Sequence, residues 1–206
     1  MARVVHLIGN GDCSVFYNPE SPGIPFTCNV PPFAVPNVYA TFVVDFKMCK
    51  AIDEGSIAGA MDGMEWICGA RPKKYSEMYP GWYMKYANNI KTFYLTLPKY
   101  VSNYTDFNCG HFGAHYLANQ FKADEIHMYG FDSLFDLNLR SYSDTILNSD
   151  RGGMNNTRLS GIWRSIWPNI FKEFPKVKWV LHHKHNAIKF PLPDNVEIVV
   201  HSKNTK

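Results

Sequence analysis

Short apolar runs, many of which end in glycine, asparagine or aspartate, recur along the chain and predict the strands of a sheet. The first, Arg3–Ile8, is rich in β-branched residues and stops at Gly9-Asn10-Gly11-Asp12. Another, Tyr39–Asp45, is almost continuously apolar, which is typical of a strand buried on both faces of a parallel sheet. Six further segments are predicted as strands, namely Pro25–Asn29, Trp66–Ala70, Tyr94–Leu97, Glu125–Gly130, Lys178–His182 and Val196–Val200.

Helical periodicity is clearest in two segments. Apolar side chains recur at three- and four-residue spacing in Gly110–Phe121, and an apolar stripe runs along Ser160–Phe174, where Pro168 predicts a kink. The aromatic and basic segment 71–90 is predicted to be a loop, and the polar segment 132–158 to be a long binding loop. Strands and helices thus alternate, which predicts an open, largely parallel α/β sheet that binds ligands outside the carboxyl ends of its strands.

Size and charge narrow the class of protein. A chain of 206 residues that is 46% hydrophobic and 15% aromatic carries too much apolar surface for a disordered protein and has the size of one large domain. The net charge of +3 permits nucleic acid as a partner without indicating it.

The cysteines and the N-terminal residues bear on the compartment. The five cysteines are odd in number and form no Cys-x-x-Cys pair, which indicates a reducing environment with free and mostly buried thiols. The first apolar run breaks at Gly9, too early for a secretory signal or a membrane span. We therefore expect a cytoplasmic protein with no integral membrane association.

Two kinds of group at the predicted strand ends could bind a ligand. Gly9-Asn10-Gly11 lets the backbone approach a phosphate or a sugar hydroxyl, or it is simply a tight turn. The third glycine of a dinucleotide fingerprint and the Gly-Lys-Ser/Thr of a Walker loop are both missing. The carboxylates of Asp45 and Asp132 could bind a ribose hydroxyl or a metal, accept a proton from an acceptor hydroxyl, or cap the next helix.

Four short motifs follow one another along the chain. They are Leu7-Ile8-Gly9-Asn10-Gly11, Cys28-Asn29, Asn108-Cys109-Gly110 and Glu125-Ile126-His127-Met128-Tyr129-Gly130-Phe131-Asp132. In this order and spacing the chain resembles the bacterial lipooligosaccharide sialyltransferases and the related motility-associated glycosyltransferase and pterin pyrophosphokinase group. The resemblance covers about residues 4–160 and implies a single Rossmann-like α/β domain with a largely parallel, doubly wound sheet. We expect this one domain to span residues 1–206.

The resemblance also implies a donor site without a tightly bound cofactor. The donor is a nucleotide-activated sugar, and Asp45 is expected to replace the family's sugar-binding asparagine, which follows the third motif. Asn10 and Asn29 would contact the phosphate and ribose, and Asp132 would accept a bond from a nucleotide hydroxyl. The residues matched to the nucleotide are Gly9, Asn10, Gly11, Asn29, Cys109, Gly110 and Asp132, of which Cys109-Gly110 would lie at a helix N-terminus that favours negative charge.

The chain departs from this group where the chemistry takes place. The family's phosphate-binding tyrosines are replaced in a differently built loop, and an arginine there would stabilise a leaving phosphate well. The family's histidine base is absent, because no histidine occurs between His127 and His182. Either an aspartate takes that role or the reaction differs. The predicted catalytic residues are Asp150 and Asp136 as alternative bases, with Asp132 a third possibility, and Arg140, Tyr142 and Arg151 at the leaving phosphate.

Histidines form two further groups. His182-His183-x-His185 could bind a metal, because imidazoles two residues apart share one face of a strand, but no fourth ligand is near in sequence and no metal site is predicted. His111 and His115 lie four residues apart on a predicted helix and are interpreted as core or phosphate-proximal groups.

The sequence leaves three functions open. The first is a glycosyltransferase that moves a sugar from a nucleotide donor to a hydroxyl of a glycan, a small molecule or a nucleic acid, with homo-oligomers possible. The missing histidine also suits a catalytically silent nucleotide-binding protein whose segment 71–90 binds nucleic acid or protein. The third is diphosphate transfer from ATP to a pterin-like hydroxyl with Mg²⁺, for which Asp132, Asp136 and Asp144 are clustered in sequence.

Overall fold

Parallel strands form one sheet in the computed structural model, which describes residues 1–55, 61, 63–135, 156–188 and 190–201. Within these residues the sheet has eight strands in the order β5-β4-β3-β2-β1-β6-β7-β8, and every neighbouring pair is parallel. The strands are β1 (Val4–Ile8), β2 (Ile24–Cys28), β3 (Ala40–Val43), β4 (Trp66–Cys68), β5 (Ile90–Phe93), β6 (Glu125–Tyr129), β7 (Lys178–His183) and β8 (Val196–Val200). The predicted α/β class with a doubly wound, Rossmann-like sheet is confirmed.

Helices and short 3-10 turns connect the strands. In the described ranges the helices are α1 (Phe46–Asp53), α2 (Ala70–Met78), α3 (Pro80–Tyr86), α4 (Cys109–Asn119) and α5 (Asn156–Glu173). The 3-10 turns are Asp12–Phe16, Tyr104–Asp106 and Asp132–Leu134. Among the helices described, none combines the length and the apolar character that a membrane span requires.

The continuous apolar character of β3 follows from its burial on both faces. Phe42 lies in the larger core with α4, where its ring is 5.7 Å from the rings of Phe112 and Tyr116. Val43, the next residue, lies in a second core with Met48 of α1. Successive side chains of a strand point to opposite faces, so a strand covered on both sides needs apolar residues without alternation.

The segment 71–86 is helical, which corrects the predicted loop. Tyr75 of α2 and Trp82 of α3 are buried in the second core, and the Trp82 ring lies 6.3 Å from that of Trp66 on β4. Pro80 occupies the first turn of α3, where its missing amide costs no hydrogen bond. The periodicity is hidden because the helices are short and because apolar residues such as Met78, Tyr83 and Met84 also lie on their exposed side.

The prediction of a strand at Tyr94–Leu97 is also wrong. The strand is β5, Ile90–Phe93, which pairs with β4 at one edge of the sheet. An edge strand is solvated on one side, and the exposed Lys91 and Thr92 break the apolar run that served as the signal. Tyr94 instead turns its buried ring toward α4.

The two predicted helices and the state of the cysteines agree with the structure. α4 matches Gly110–Phe121 within two residues at each end, and α5 begins at Asn156, so the predicted loop 132–158 gives way to helix in its last residues. α5 runs through Pro168. The expected free and buried thiols are found at Cys13, Cys28, Cys49, Cys68 and Cys109.

Replacement of Phe42 by alanine is expected to destabilise the fold by about 3–5 kcal/mol, because it leaves a cavity in the larger core. The side chain is fully buried and stacks on Phe26 with ring centroids 5.7 Å apart. Urea unfolding measures the change. Met84→Ala is the control, since Met84 is 79% exposed and its loss should change stability by less than about 0.5 kcal/mol. Equal effects of the two changes would contradict the position of the core.

Candidate functional site

The order of connection in the sheet reverses at β1. The chain runs outward from β1 through β2 to β5 and then returns through α4 to β6, on the other side of β1. In open α/β sheets the ligand crevice lies at such a point, outside the carboxyl ends of the two central strands. The loops that leave β1 and β6 here are Gly9–Asp12 and Gly130–Asp132, both of which the sequence indicated.

Glycines allow these two loops to pack directly against each other. The Gly9 amide donates to the Tyr129 carbonyl at 2.7 Å, and the Gly11 amide donates to the Gly130 carbonyl at 2.9 Å. A methyl group on Gly11 would lie 2.6 Å from the Gly130 oxygen and 2.7 Å from Cγ of Asp132, closer than real contacts allow. The glycines are therefore required for the contact between the loops, a reason that the sequence did not reveal.

Asp132 turns its carboxylate into the protein. It is 3% exposed, and its oxygens accept the backbone N–H of Cys13 at 3.2 and 3.3 Å. Burial raises the pKa of this carboxyl above its ordinary value, and the bond from Cys13 opposes the shift. Asp132 thus caps the 3-10 turn that follows β1 rather than the turn in which it lies, and its contact with a nucleotide hydroxyl stays a prediction.

Asn10 and Asn29 lie beside each other at the ends of β1 and β2. The side-chain amide of Asn10 donates to the carbonyl of Val30 at 2.8 Å, which joins the two loops. Asn29 is buried and has a left-handed backbone with φ of 54°. The backbone N–H of Asn29 donates to the backbone carbonyl of Phe42 at 2.9 Å, and the backbone carbonyl of Asn29 accepts the Thr41 hydroxyl at 2.7 Å. The structure brings the two predicted asparagines together.

The start of α4 lies next to Asn29. The Cys109 thiol donates to the Phe42 carbonyl at 3.1 Å, and the Asn29 backbone is also within hydrogen-bond reach of this sulfur. Burial raises the pKa of Cys109 well above its ordinary value, so the group is a thiol. A methyl group on Gly110 would lie 2.6 Å from the Phe131 ring, so this glycine permits close packing of the helix on the loop after β6.

Asp45 forms an ion pair that the sequence did not indicate. It occupies the N-cap position of α1 without a side-chain cap bond, and its Oδ1 lies 2.8 Å from Nη2 of Arg71. Both side chains are partly exposed, at 28% and 27%. Arg71 lies in the first turn of α2, just beyond the carboxyl end of β4. The glycine at position 69, which ends a short apolar run, was the available signal that this arginine stands at a strand end.

The predicted catalytic residues lie outside the residues that the structure describes. These are Asp136, Arg140, Tyr142, Asp150 and Arg151, and Asp144 belongs with them.

His111 and His115 have structural roles. The Nδ1 of His111 accepts the Asn108 amide at 3.1 Å, while the Asn108 side chain accepts the His111 amide at 2.9 Å, which forms a capping box at the start of α4. His115 bonds to the Tyr94 hydroxyl at 2.7 Å and lies 3.2 Å from a carboxylate oxygen of Glu173 on α5. The core interpretation of both residues therefore holds.

A row of histidines that the sequence analysis missed crosses the second face of the sheet, the face opposite α4. His127 Nδ1 and His182 Nε2 are 2.9 Å apart, and His182 Nδ1 and His201 Nε2 are 2.8 Å apart. His6 continues the row, with its ring 5.1 Å from that of His127. Each member lies on a different strand or strand end, so only the strand order places them side by side. His183 belongs to the opposite face of β7 and not to this row.

No protein-family model matches the chain, and the curated proteins and solved structures compared with it also gave no match. The resemblance to the sialyltransferase group therefore rests on the four sequence motifs. The site is argued below from its own residues.

Acidification is expected to lower the free energy of unfolding between pH 6.5 and about 3, with His182 as a main contributor. Burial, and then His127 and His201, lower the pKa of His182 from 6.5 to about 3. The unfolded chain binds this proton at a higher pH than the folded chain does. The stability present above pH 6.5 is therefore lost as the pH falls, by at most about 1.4 kcal/mol per pH unit for one proton.

Urea unfolding at several pH values measures this effect in the wild type and in His182→Gln. The variant has no imidazole at this position and should lose less stability over the same interval. The same pH dependence in both proteins would show that the histidine row does not control acid stability.

Proposed function

We propose that the chain binds a nucleotide-activated sugar at the carboxyl edge of β1, β2 and β3 and transfers the sugar to a hydroxyl acceptor. The observation that carries this proposal is the convergence of Asn10, Asn29, Cys109 and Asp45 at that edge, next to the reversal of strand order. These residues come from separate parts of the chain. Their position agrees with the site that the sequence resemblance implies.

Arg71 supports binding of the donor phosphates. A guanidinium has five N–H donors in a planar fork, and the 2.8 Å contact with Asp45 occupies one of them. The side chain remains 27% exposed, which leaves a surface for an anion. The nearby N-terminus of α4 adds partial positive charge. Asp45, as the partner of this cation, is then placed to accept a hydroxyl of the transferred sugar.

Asn10 and Asn29 support recognition of the nucleoside part. The Asn10 amide nitrogen bonds to Val30, and its carbonyl oxygen can accept a ribose hydroxyl. The left-handed backbone of Asn29 turns the chain after β2, where the carbonyl of the next residue, Val30, accepts the bond from Asn10. Both groups recognise hydroxyl and phosphate groups that every nucleotide shares, and they leave the base unspecified.

The reaction requires a base that accepts the proton of the acceptor hydroxyl. The acceptor oxygen forms a bond to the anomeric carbon, and the bond from that carbon to the donor phosphate breaks. The nucleotide leaves with the electron pair, and the proton passes to the base. Asp150 and Asp136 are the proposed bases, with Arg140, Tyr142 and Arg151 at the leaving phosphate. Mg²⁺ would assist by neutralising that phosphate.

One observation favours a catalytically silent nucleotide-binding protein as the second candidate. Both strand-end carboxylates that the sequence nominated are engaged, Asp45 with Arg71 and Asp132 with the Cys13 amide. A binding protein needs no free base at this edge. Incubation with a nucleotide sugar in the absence of acceptor distinguishes the two candidates. A glycosyltransferase hydrolyses the donor slowly, whereas a binding protein leaves it intact.

Arg71→Met is expected to weaken nucleotide binding by about 10–100-fold, the effect of losing a hydrogen bond to a charged group. Thermal shift with common nucleoside mono- and diphosphates and their sugars first identifies the preferred ligand, and calorimetry then measures its affinity. Lys74→Met is the matched control, because it removes a positive charge from an exposed position on the same helix. The proposal fails if no nucleotide stabilises the wild type, or if both variants bind equally well.

Asp150→Ala is expected to retain nucleotide affinity while turnover falls by about a hundredfold or more, as for loss of a general base. Asp136→Ala is tested in parallel, because either residue can hold that role. Donor hydrolysis and transfer are followed by release of the free nucleotide. Full activity in both variants would exclude both proposed bases.

A further inference from the structure

A second group of ligand-type side chains lies at the same edge of the sheet, beyond β6. It comprises Cys13 in the 3-10 turn after β1, Asp132 after β6 and His183 at the end of β7. One ligand atom from each residue, the sulfur, a carboxylate oxygen and an imidazole nitrogen, lies within 4.8 Å of the other two. The sequence analysis separated these residues, grouping His183 with its neighbours in sequence and assigning Asp132 to the nucleotide.

We propose that Cys13, Asp132 and His183 bind a Zn²⁺ ion. A sulfur, nitrogen and oxygen set is typical of zinc, whereas Mg²⁺ and Ca²⁺ prefer oxygen ligands alone. Zinc would hold these ligand atoms about 3.4 Å apart in a tetrahedron. The Nδ1 of His183 and the Oδ1 of Asp132 are 3.9 Å apart, so they need to approach by only about half an ångström.

The three side chains are held in place before any ion binds. The His183 ring stacks on Phe135 with centroids 3.8 Å apart and planes 7° apart. The Asp132 carboxylate accepts the Cys13 amide, which joins two of the ligands directly. The Lys184 backbone is in hydrogen-bond contact with the Cys13 sulfur, and an amide bond of this kind favours the thiolate. Fixed ligands lose little freedom on binding, which raises the affinity.

Gly11 is part of this arrangement. Its backbone lies so close to Asp132 that an added methyl group would be 2.7 Å from the carboxylate. Any side chain there would push the carboxylate away from Cys13. The same glycine that closes the contact between the two loops therefore also places one of the metal ligands.

Binding replaces protons and involves no change of oxidation state. The zinc–sulfur bond forms as the Cys13 S–H bond breaks, and the proton goes to solvent. The Asp132 carboxyl gives up its proton in the same way where it carries one. Three protein ligands leave the fourth position of a tetrahedral ion to water. The ion would then join the loop after β1, the loop after β6 and the end of β7.

Residue burial favours a metal over thiol catalysis at this cluster. Cys13 and Asp132 are each 3% exposed and His183 is fully buried, so the sulfur is shielded from a substrate of ordinary size. Burial, and then Asp132, raise the pKa of the Cys13 thiol to about 12, which leaves little nucleophilic thiolate near neutral pH. A small cation can occupy such a site, and its charge compensates the two acidic ligands.

The test uses the whole chain, freed of metal by a chelator and then titrated with Zn²⁺ or with Co²⁺ as a spectroscopic probe. We expect one equivalent of Zn²⁺ to bind and to raise the melting temperature by several degrees, while Mg²⁺ has no such effect. Bound Co²⁺ should show a thiolate-to-metal charge-transfer band. The proposal is overturned if the wild type shows neither the band nor stabilisation by zinc. This measurement uses the wild-type chain without nucleotide. Its result is therefore independent of the glycosyltransferase proposal and of whether any variant folds.

Variants assign the ligands. Cys13→Ser should remove the charge-transfer band. Cys13→Ser and His183→Gln should each lower zinc affinity by more than about 100-fold, because loss of a residue that only hydrogen-bonds to a ligand already costs up to about that much. Cys49→Ser is the control for loss of another buried thiol, and it should bind as the wild type does. His182→Gln tests the histidine row as the competing site. Zinc binding that survives Cys13→Ser but is lost in His182→Gln would overturn the assignment.

Discussion

The contact of Gly11 with Gly130 and Asp132 determines how the edge of the sheet is built. Two loops that leave neighbouring parallel strands at a reversal of strand order normally diverge, because there the two connections cross opposite faces of the sheet. Here a direct amide-to-carbonyl bond of 2.9 Å draws them together, and the absence of side chains makes that distance possible. The position of Asp132, the 3-10 turn at Cys13 and the loop that carries Asn10 all depend on this contact.

The contact also divides the edge into two chemically different parts. On the β2 and β3 side, Asn10 and the Asp45–Arg71 pair present an amide and charges of both signs with partial access to solvent, and the buried Asn29 lies beside them. On the β6 and β7 side, acidic and imidazole groups are buried among aromatic rings. The first environment suits a hydrated, phosphorylated ligand, and the second suits a small cation that replaces protons. The two proposals therefore concern adjacent but distinct sites.

Part of this arrangement was predictable because the signal was local. The apolar run before Gly9 and the run at Tyr39–Asp45 identify parallel strands, since burial on both faces requires continuous apolar character. The rule that ligands bind at the carboxyl ends of such strands then nominated Asn10, Asn29, Asp45 and Asp132 correctly as neighbours of one edge. The helices of segment 71–86 and the edge strand β5 were missed, because each is too short for its period to show. Exposed apolar residues in α3, and exposed polar residues in β5, also blur the pattern.

The amino-acid sequence by itself determined the class of fold, the buried state of the cysteines and the strand ends at which polar groups collect. The fold class and the strand ends follow from the order of apolar and polar residues over a few positions, and the state of the cysteines follows from their number and spacing. The tertiary structure alone decided which distant groups meet: Arg71 with Asp45, Cys13 with His183, and the four histidines of the second face. The order of strands in the sheet sets these contacts. β1 pairs with β6, which lies far from it in the sequence, and no local pattern of residues indicates that pairing.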